Sequence, residues 1–372
     1  MASKQEIISA LRLINTSGIG AVKFYQLVEE NSSTEGAIAF LEKNSKQKPW
    51  STEKAQKELD KANSLGVQII LYSDNDYPYA LRNDKNAPPL LYVKGDPQTL
   101  TSFEKSIAIV GGRSASIIGR KTAAKLAKEL TDNNVCVISG MARGIDTSAH
   151  KGAMYACEQT GKTIAVLGTG IDIVYPPENK EVYEQIAKQG CLISEFPIGT
   201  KANTSHFPRR NKIVAALSEG ILVIEASNNS GSLITAQYGI DMKKTIFAVP
   251  GTPGESRSQG SNSLIKNGAI LVDDVSDILP FLKGNKKAKQ TNLEQYIQKN
   301  LVFENNDDNY IEQKKNPETL VDYLTIDGVY IDELIRLTGK SASEISMDIL
   351  ELELSGIAER RAGNKIALTG DR

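Results

Sequence analysis

Between residues 107 and 249 the chain alternates short runs rich in valine and isoleucine with stretches of helical periodicity, and this alternation constrains its fold most tightly. The runs cover 107–110, 135–138, 163–167, 190–194, 221–224 and 245–249. Amphipathic stretches, such as 122–130 and 181–188, lie between them. Strands apolar on both faces and separated by helices belong to a parallel sheet covered on both sides. A further run at 269–272 extends the sheet. The reading is α/β: a doubly wound, mostly parallel sheet spanning 67–284.

The flanks read differently. Up to about residue 64 the chain is helical, with Ile7, Ile8, Leu11 and Ile14 at helical spacing. Ser17-Gly18-Ile19-Gly20 then leads into a second periodic stretch through Phe24, Leu27 and Val28. A Gly-Ile-Gly turn between short helices has the shape of a helix-hairpin-helix, whose N–H groups meet a DNA phosphate. A plain capping turn explains one short match equally simply and is preferred. Residues 285–316 are polar, with Lys286-Lys287-Ala288-Lys289 and an acidic run at 304–308, and read as a linker. Three helical segments follow at 317–324, 331–338 and 343–354, with Ser341 placed to cap the third. Two short extended runs about a Gly363-Asn364 turn complete the order of a winged helix. Its third helix carries Glu344, Asp348, Glu351 and Glu353, which would repel phosphate, so a protein-adaptor role is favoured there. The expected domains are a small helical one at 1–66, the sheet domain at 67–284, and a winged helix at 317–372.

The formal net charge of −1 provides no global basic field, so any nucleic-acid binding rests on a local patch. No apolar run approaches the ~20 residues needed to span a bilayer. The first ten residues lack a basic patch followed by an apolar core. The three cysteines, Cys136, Cys157 and Cys191, cannot pair off completely, which suits a reducing compartment. A cytoplasmic protein without a membrane partner is expected.

In an open parallel sheet the ligand lies beyond the carboxyl ends of the strands. After the first run comes Gly111-Gly112-Arg113-Ser114, and after the second Gly140-Met141-Ala142-Arg143-Gly144. Gly168-Thr169-Gly170 follows the third, and Ser230-Gly231-Ser232 opens a helix beyond Glu225. Such loops let a backbone approach an anion and leave N–H groups to bond it. Several on one rim, with Arg113 and Arg143, indicate a phosphate-binding face.

Enzyme signatures are absent from that rim. Gly111-Gly112 followed by Gly119 does not fit G-x-G-x-x-G, and Ser139-Gly140 lacks the acidic residue that would hold a ribose. Gly119-Arg120-Lys121-Thr122 fails as a P-loop, and no Cys/His cluster has metal spacing. His150 reads as a packing or surface residue, while Asp146 and Asp172 read as caps. Glu225, at a strand end, is the carboxylate retained as an active-site candidate. No catalytic residue, metal or cofactor is assigned.

Phe207-Pro208-Arg209-Arg210-Asn211-Lys212 is the most informative stretch. Its three cations stand before an apolar helix expected at 213–217, where they oppose the helix dipole. A local choice against propensity points to function or a bound anion. Phe207 fits two roles, stacking on a base or packing in the core.

Together these segments resemble the family of DNA-processing protein A, also called Smf. The likeness runs through Ile109-Val110-Gly111-Gly112-Arg113 and the segment from Ser139-Gly140 to Ala149-His150. It continues through Gly168-Thr169-Gly170-Ile171-Asp172-Ile173-Val174-Tyr175-Pro176 and Phe207-Pro208-Arg209-Arg210-Asn211-Lys212. It closes on Ser230-Gly231-Ser232-Leu233-Ile234-Thr235-Ala236 and Ala248-Val249-Pro250-Gly251. Gly112 stands where the family often has serine, and Lys212 where it often has arginine, which keeps the charge but loses bidentate contact. The resemblance implies a Rossmann-like domain binding single-stranded DNA in a basic pocket, with a sterile-alpha-motif-like front and a winged-helix tail. It also implies a homodimer that protects incoming DNA and loads a RecA-type recombinase in natural transformation. By motif, Arg113 and Arg210-Asn211-Lys212 would contact phosphates, and residues 140–144 and 230–232 would line the same pocket. Two other readings compete: a nucleotide-binding enzyme or sensor of the phosphoribohydrolase-related type, and a transcription regulator acting through the winged helix. The former's Pro-Gly-Gly-x-Gly-Thr loop is missing at 225–232.

Overall fold

The computed structural model describes residues 2–284 apart from 45–47, 83, 85 and 157–162, then residues 290 and 293, and residues 320–369 apart from 325–328 and 362–363. The chain forms two compact units, Met1–Val302 and Phe303–Arg372. Most of the expected linker, and Cys157 and Gly363, fall outside the described residues.

Each apolar run of the first unit becomes a strand because its alternate side chains are buried on opposite faces. In β3 (Lys105–Gly111), Ala108 and Val110 join one core cluster, while Ile107 and Ile109 join another across the sheet. In β4 (Val135–Ser139), Cys136 and Ile138 face the first and Val135 and Val137 the second. Full burial of a valine or isoleucine is worth about 1.5–3 kcal/mol, so the runs hold the sheet in register. The sheet continues with β5 (Thr163–Leu167), β6 (Cys191–Ser194), β7 (Gly220–Ile224), β8 (Thr245–Ala248) and β9 (Ile270–Leu271). Two strands precede these, β1 (Val67–Leu71) and β2 (Leu90–Gly95).

Among the described residues the nine strands of this sheet lie in the order β1-β2-β6-β5-β4-β3-β7-β8-β9. From β6 to β9 all neighbours are parallel, whereas β1 and β2 add an antiparallel margin against β6. The chain steps outward from β3 to β6 and then returns to place β7 against β3, with Ile107 opposite both Val137 and Gly220. Such a reversal opens a crevice at the strands' carboxyl ends.

The front of the chain supplies α1 (Lys4–Ile14), α2 (Ala21–Glu30), α3 (Thr34–Asn44) and α4 (Thr52–Ser64). Ser3 starts α1 through a capping box with Glu6. Gly18, at φ +76°, turns the chain towards α2. Leu11, Phe24 and Leu59 of these helices share a core with Ile69, Tyr92 and Leu167 of the sheet. The sheet's helices are the one-turn α5 (Tyr79–Arg82), α6 (Ile117–Asp132), α7 (Ile145–Met154), α8 (Lys180–Gln189), α9 (His206–Leu217), α10 (Gly231–Asp241) and α11 (Gln259–Lys266).

The second unit contains β10 (Val329–Tyr330), α12 (Ile331–Thr338), α13 (Ala342–Leu354), β11 (Ala358–Arg361) and β12 (Lys365–Leu368), its sheet ordered β10-β12-β11. Ser341 caps α13 in a box with Glu344. Of the helix expected at 317–324, the described part is a 3-10 turn at Leu320–Tyr323. Among the described residues no helix is long and apolar enough to cross a membrane.

Candidate nucleic-acid interface

A cleft opens beyond the carboxyl ends of β3, β4 and β5. Arg113, Arg143, Phe207 and Arg210 line it, with Gly140, Ala142, Gly168, Thr169, Tyr175 and Pro176. The half-buried Phe207 ring is the centre of the arrangement. The Arg113 guanidinium stands 5.3 Å from the ring centroid and that of Arg210 5.9 Å, while Tyr175 lies 5.7 Å away at a 32° tilt. Such cation–π contacts are worth about 0.5–2 kcal/mol each and hold both cations near the ring.

The two arginines differ in setting. Arg210 is buried, donates to the Val166 carbonyl at 3.1 Å and to Asn211 Oδ1 at 3.0 Å. Burial lowers its pKa to about 10, so it remains charged at neutral pH, helped by Asp146 and opposed by Arg113. Asp146 is itself buried, which raises its pKa against the influence of Arg210 and of the Ala142 and Gly140 N–H groups. Arg113 is exposed and, among the described residues, forms no ion pair with a carboxylate. Arg143 is exposed and paired with Glu178, whose pKa it lowers.

Glycine is required where the cleft is tightest. A Cβ on Gly140 would lie 1.9 Å from Arg210 Nη1, and one on Gly168 2.9 Å from Phe207. Gly144 takes φ +77°, where a Cβ would also meet the Gly112 carbonyl at 2.3 Å.

The structure amends several expectations about the rim. The Gly140 and Ala142 N–H groups both donate to Asp146 at 3.2 Å, and the Gly112 N–H donates to the Glu225 carbonyl at 2.7 Å. Those three donors brace the loops instead of facing a ligand. Gly111 packs against β7, where a Cβ would strike the Ile224 carbonyl, and Ser114 is exposed beside the cleft. Met141 buries its side chain in the core, and its carbonyl accepts from Asn179 Nδ2 at 2.8 Å. Helix α9 begins at His206, so the cations expected before a helix occupy its first two turns, where Pro208 is tolerated. At about 100° per residue their side chains diverge. Arg210 enters the cleft, Arg209 turns to Glu195 at 2.6 Å and over Phe196, and Lys212 pairs with Asp84 at 3.2 Å. Asn211 donates to the Gly231 carbonyl at 3.3 Å, which brings the 230–232 turn beside α9 but not into the cleft lining. Ser230 caps α10 by accepting from the Ser232 N–H, and the two hydroxyls bond at 2.7 Å.

Glu225 is structural. Its carboxylate accepts from the Ser116 N–H at 2.7 Å and from the Ser116 hydroxyl, at the start of α6. His150 is fully buried, with Nδ1 2.8 Å from Thr163 Oγ1. Thr163 Oγ1 donates to the Val137 carbonyl at 2.7 Å, which leaves it able to accept from a His150 Nδ1–H. Burial, reinforced by Arg210 and opposed by a hydrogen bond to the Ser139 backbone, lowers its pKa to about 3. Among the described residues no group of three or more His, Cys, Asp or Glu could hold a metal.

Residues 68–283 match the family described as DNA recombination-mediator protein A, and residues 311–364 match the DprA winged helix domain. The chain belongs to the DNA recombination-mediator protein A family. Protein Smf of Synechocystis sp. is 30% identical over 330 residues, which is 82% of this chain and 81% of the relative. The crystal structure of DNA processing protein A from Streptococcus pneumoniae superposes with a TM-score of 0.63 at 31% identity, covering 75% of this chain and 98% of that one. DNA processing protein A from Helicobacter pylori, studied for its single-stranded DNA binding mode, gives 0.52 at 28% identity, covering 57% and 94%. The Rossmann-like sheet and the winged helix are those of the family, and membership brings a role in DNA processing during recombination. Thr169 joins the cleft from its glycine loop as expected, and Tyr175 and Pro176 join it from a segment to which no binding role had been given. The available signal was an exposed aromatic placed shortly after a glycine loop at a strand's carboxyl end.

Proposed function

We propose that this cleft binds single-stranded DNA without turnover. Arg113 carries the reading: a solvent-facing cation, without a carboxylate partner among the described residues, held against an aromatic ring at the mouth of a loop-lined crevice. A phosphate neutralised by Arg113 releases counterions, with Arg210 adding a fixed positive charge behind it. The exposed Tyr175 ring beside Phe207 offers a face for an unstacked base, which a paired duplex does not present. The single-strand binding of the H. pylori relative supports the same choice. We place the chain in the cytoplasm as a homodimer that protects incoming single strands and loads a RecA-type recombinase during natural transformation. The competing nucleotide-enzyme reading loses its carboxylate, since Glu225 is tied to Ser116.

The test is fluorescence anisotropy with labelled single-stranded and duplex oligonucleotides over a range of salt. Arg113→Glu is expected to weaken single-strand binding at least tenfold for any sequence, with circular dichroism unchanged. Its slope of log K against log salt should be shallower by about 0.7. Unaltered affinity in a folded variant removes the cleft from this role.

A further inference from the structure

The core of the second unit takes Ile345 and Ile349 from α13. At about 100° per residue, Met347, Leu350 and Leu354 fall within about 60° of one another on the opposite side of that helix. They are 69%, 54% and 81% exposed, and Ile357 continues the stripe beyond the helix end at 42%. A helix serving one core needs a single apolar face, so the second stripe is unexplained by folding.

The charges beside it have one sign left over. Asp348 is engaged by Lys340 at 2.7 Å and Glu353 by Arg360 at 3.2 Å, while Arg361 pairs with Glu359 at 2.9 Å. Glu344 and Glu351 flank Met347 on the same side, within about 60° of it. Glu351 has no ion pair among the described residues, and Glu344 accepts from Ser341 in the capping box and so keeps its charge. The stripe therefore presents leucine and methionine beside Glu351 and beside Glu344, which shares the single cation of Lys340 with Asp348.

We propose that α13 docks a basic amphipathic helix of a partner protein, its apolar residues covering Met347, Leu350 and Leu354 and its lysines or arginines meeting Glu344 and Glu351. A second copy of α13 would bring like carboxylates together, and duplex DNA would meet them with phosphate. Both occupants are disfavoured by the same two side chains.

The full-length chain is titrated against a fluorescein-labelled 18-residue leucine–lysine amphipathic helix, with a leucine–glutamate counterpart as control. The leucine–lysine peptide should bind at least tenfold more tightly than its counterpart. Leu350→Ser/Leu354→Ser should lose at least tenfold in affinity for it, and Glu351→Lys at least threefold. Both leucines are exposed, so the fold should survive, and the Glu351→Lys arm decides should it not. Peptide binding indifferent to these changes overturns the proposal. So does a double-serine variant that loses duplex DNA affinity, or one that sediments as a smaller species than the parent.

Discussion

Gly140 and Arg210 allow the architecture of the cleft to be tested through stability alone. In Gly140→Ala the new methyl would stand 1.9 Å from Arg210 Nη1, 2.3 Å from Cζ and 2.9 Å from Nε, so the buried guanidinium must move. It then forfeits its 3.1 Å bond to the Val166 carbonyl. Losing a hydrogen bond to a charged group costs about 1.5–3 kcal/mol, and overpacking a tight site about 1–3 kcal/mol. A total near 3 kcal/mol is expected, discounted because a long side chain can bend. The chain's single tryptophan, Trp50, lies in the first unit, so its fluorescence in urea reports the unit containing the cleft. With an m-value of about 3 kcal/mol/M the midpoint should fall by about 1 M. Arg210→Met removes the obstructing guanidinium, and in that background Gly140→Ala should add less than about 1 kcal/mol, a coupling of about 2 kcal/mol. Equal costs in the two backgrounds would refute the clash as the reason for glycine.

Three further outcomes follow from the same geometry. His150 is ordinarily protonated below about 6.5 but in the fold only below about 3, so the unfolded chain takes up its proton first as pH falls. The stability it withholds from acid is fully present above 6.5 and is lost towards pH 3, by about 4 kcal/mol, and His150→Gln should flatten that part of a urea-midpoint profile. Glu225→Ala removes two hydrogen bonds from Ser116 and should cost about 1–2 kcal/mol in the same assay, without changing single-strand affinity by more than about twofold. Lys212→Ala breaks a pair with Asp84 away from the cleft, so it should leave the salt slope unchanged where Arg113→Glu lowers it by about 0.7. A similar fall in both would return Lys212 to the binding face.

The parallel strands were legible because burial on both faces demands unbroken valine and isoleucine, as in Ile107, Ile109, Val135 and Val137. Residues 67–71 and 90–95 are just as apolar, but their antiparallel pairing against each other and β6 depends on distant partners that no local pattern encodes. The same division runs through the candidate site. Arg113 and the glycine loops were visible as residue types following strands. Which of Arg209, Arg210 and Lys212 reaches the cleft was not, because one or two steps of helical rotation separate a buried guanidinium from surface ion pairs. The loops looked like free N–H donors because the carboxylate that claims two of them, Asp146, reads equally well as an ordinary cap.

The shared core of the front helices and the sheet has a consequence for how such a chain can diversify. An excised fragment starting at Val67 would strip cover from Ile69 and Leu71 and take the Glu58 carboxylate from the Tyr92 hydroxyl, beside an edge strand prone to intermolecular pairing. The inner faces of α1–α4 are thus bound to the sheet's requirements, whereas outward positions such as Val22 and Phe40 are exposed. Substitutions can accumulate on those outer surfaces, and with them new docking preferences, provided that Lys61 of α4 keeps its pair with Asp172 beside the rim loops.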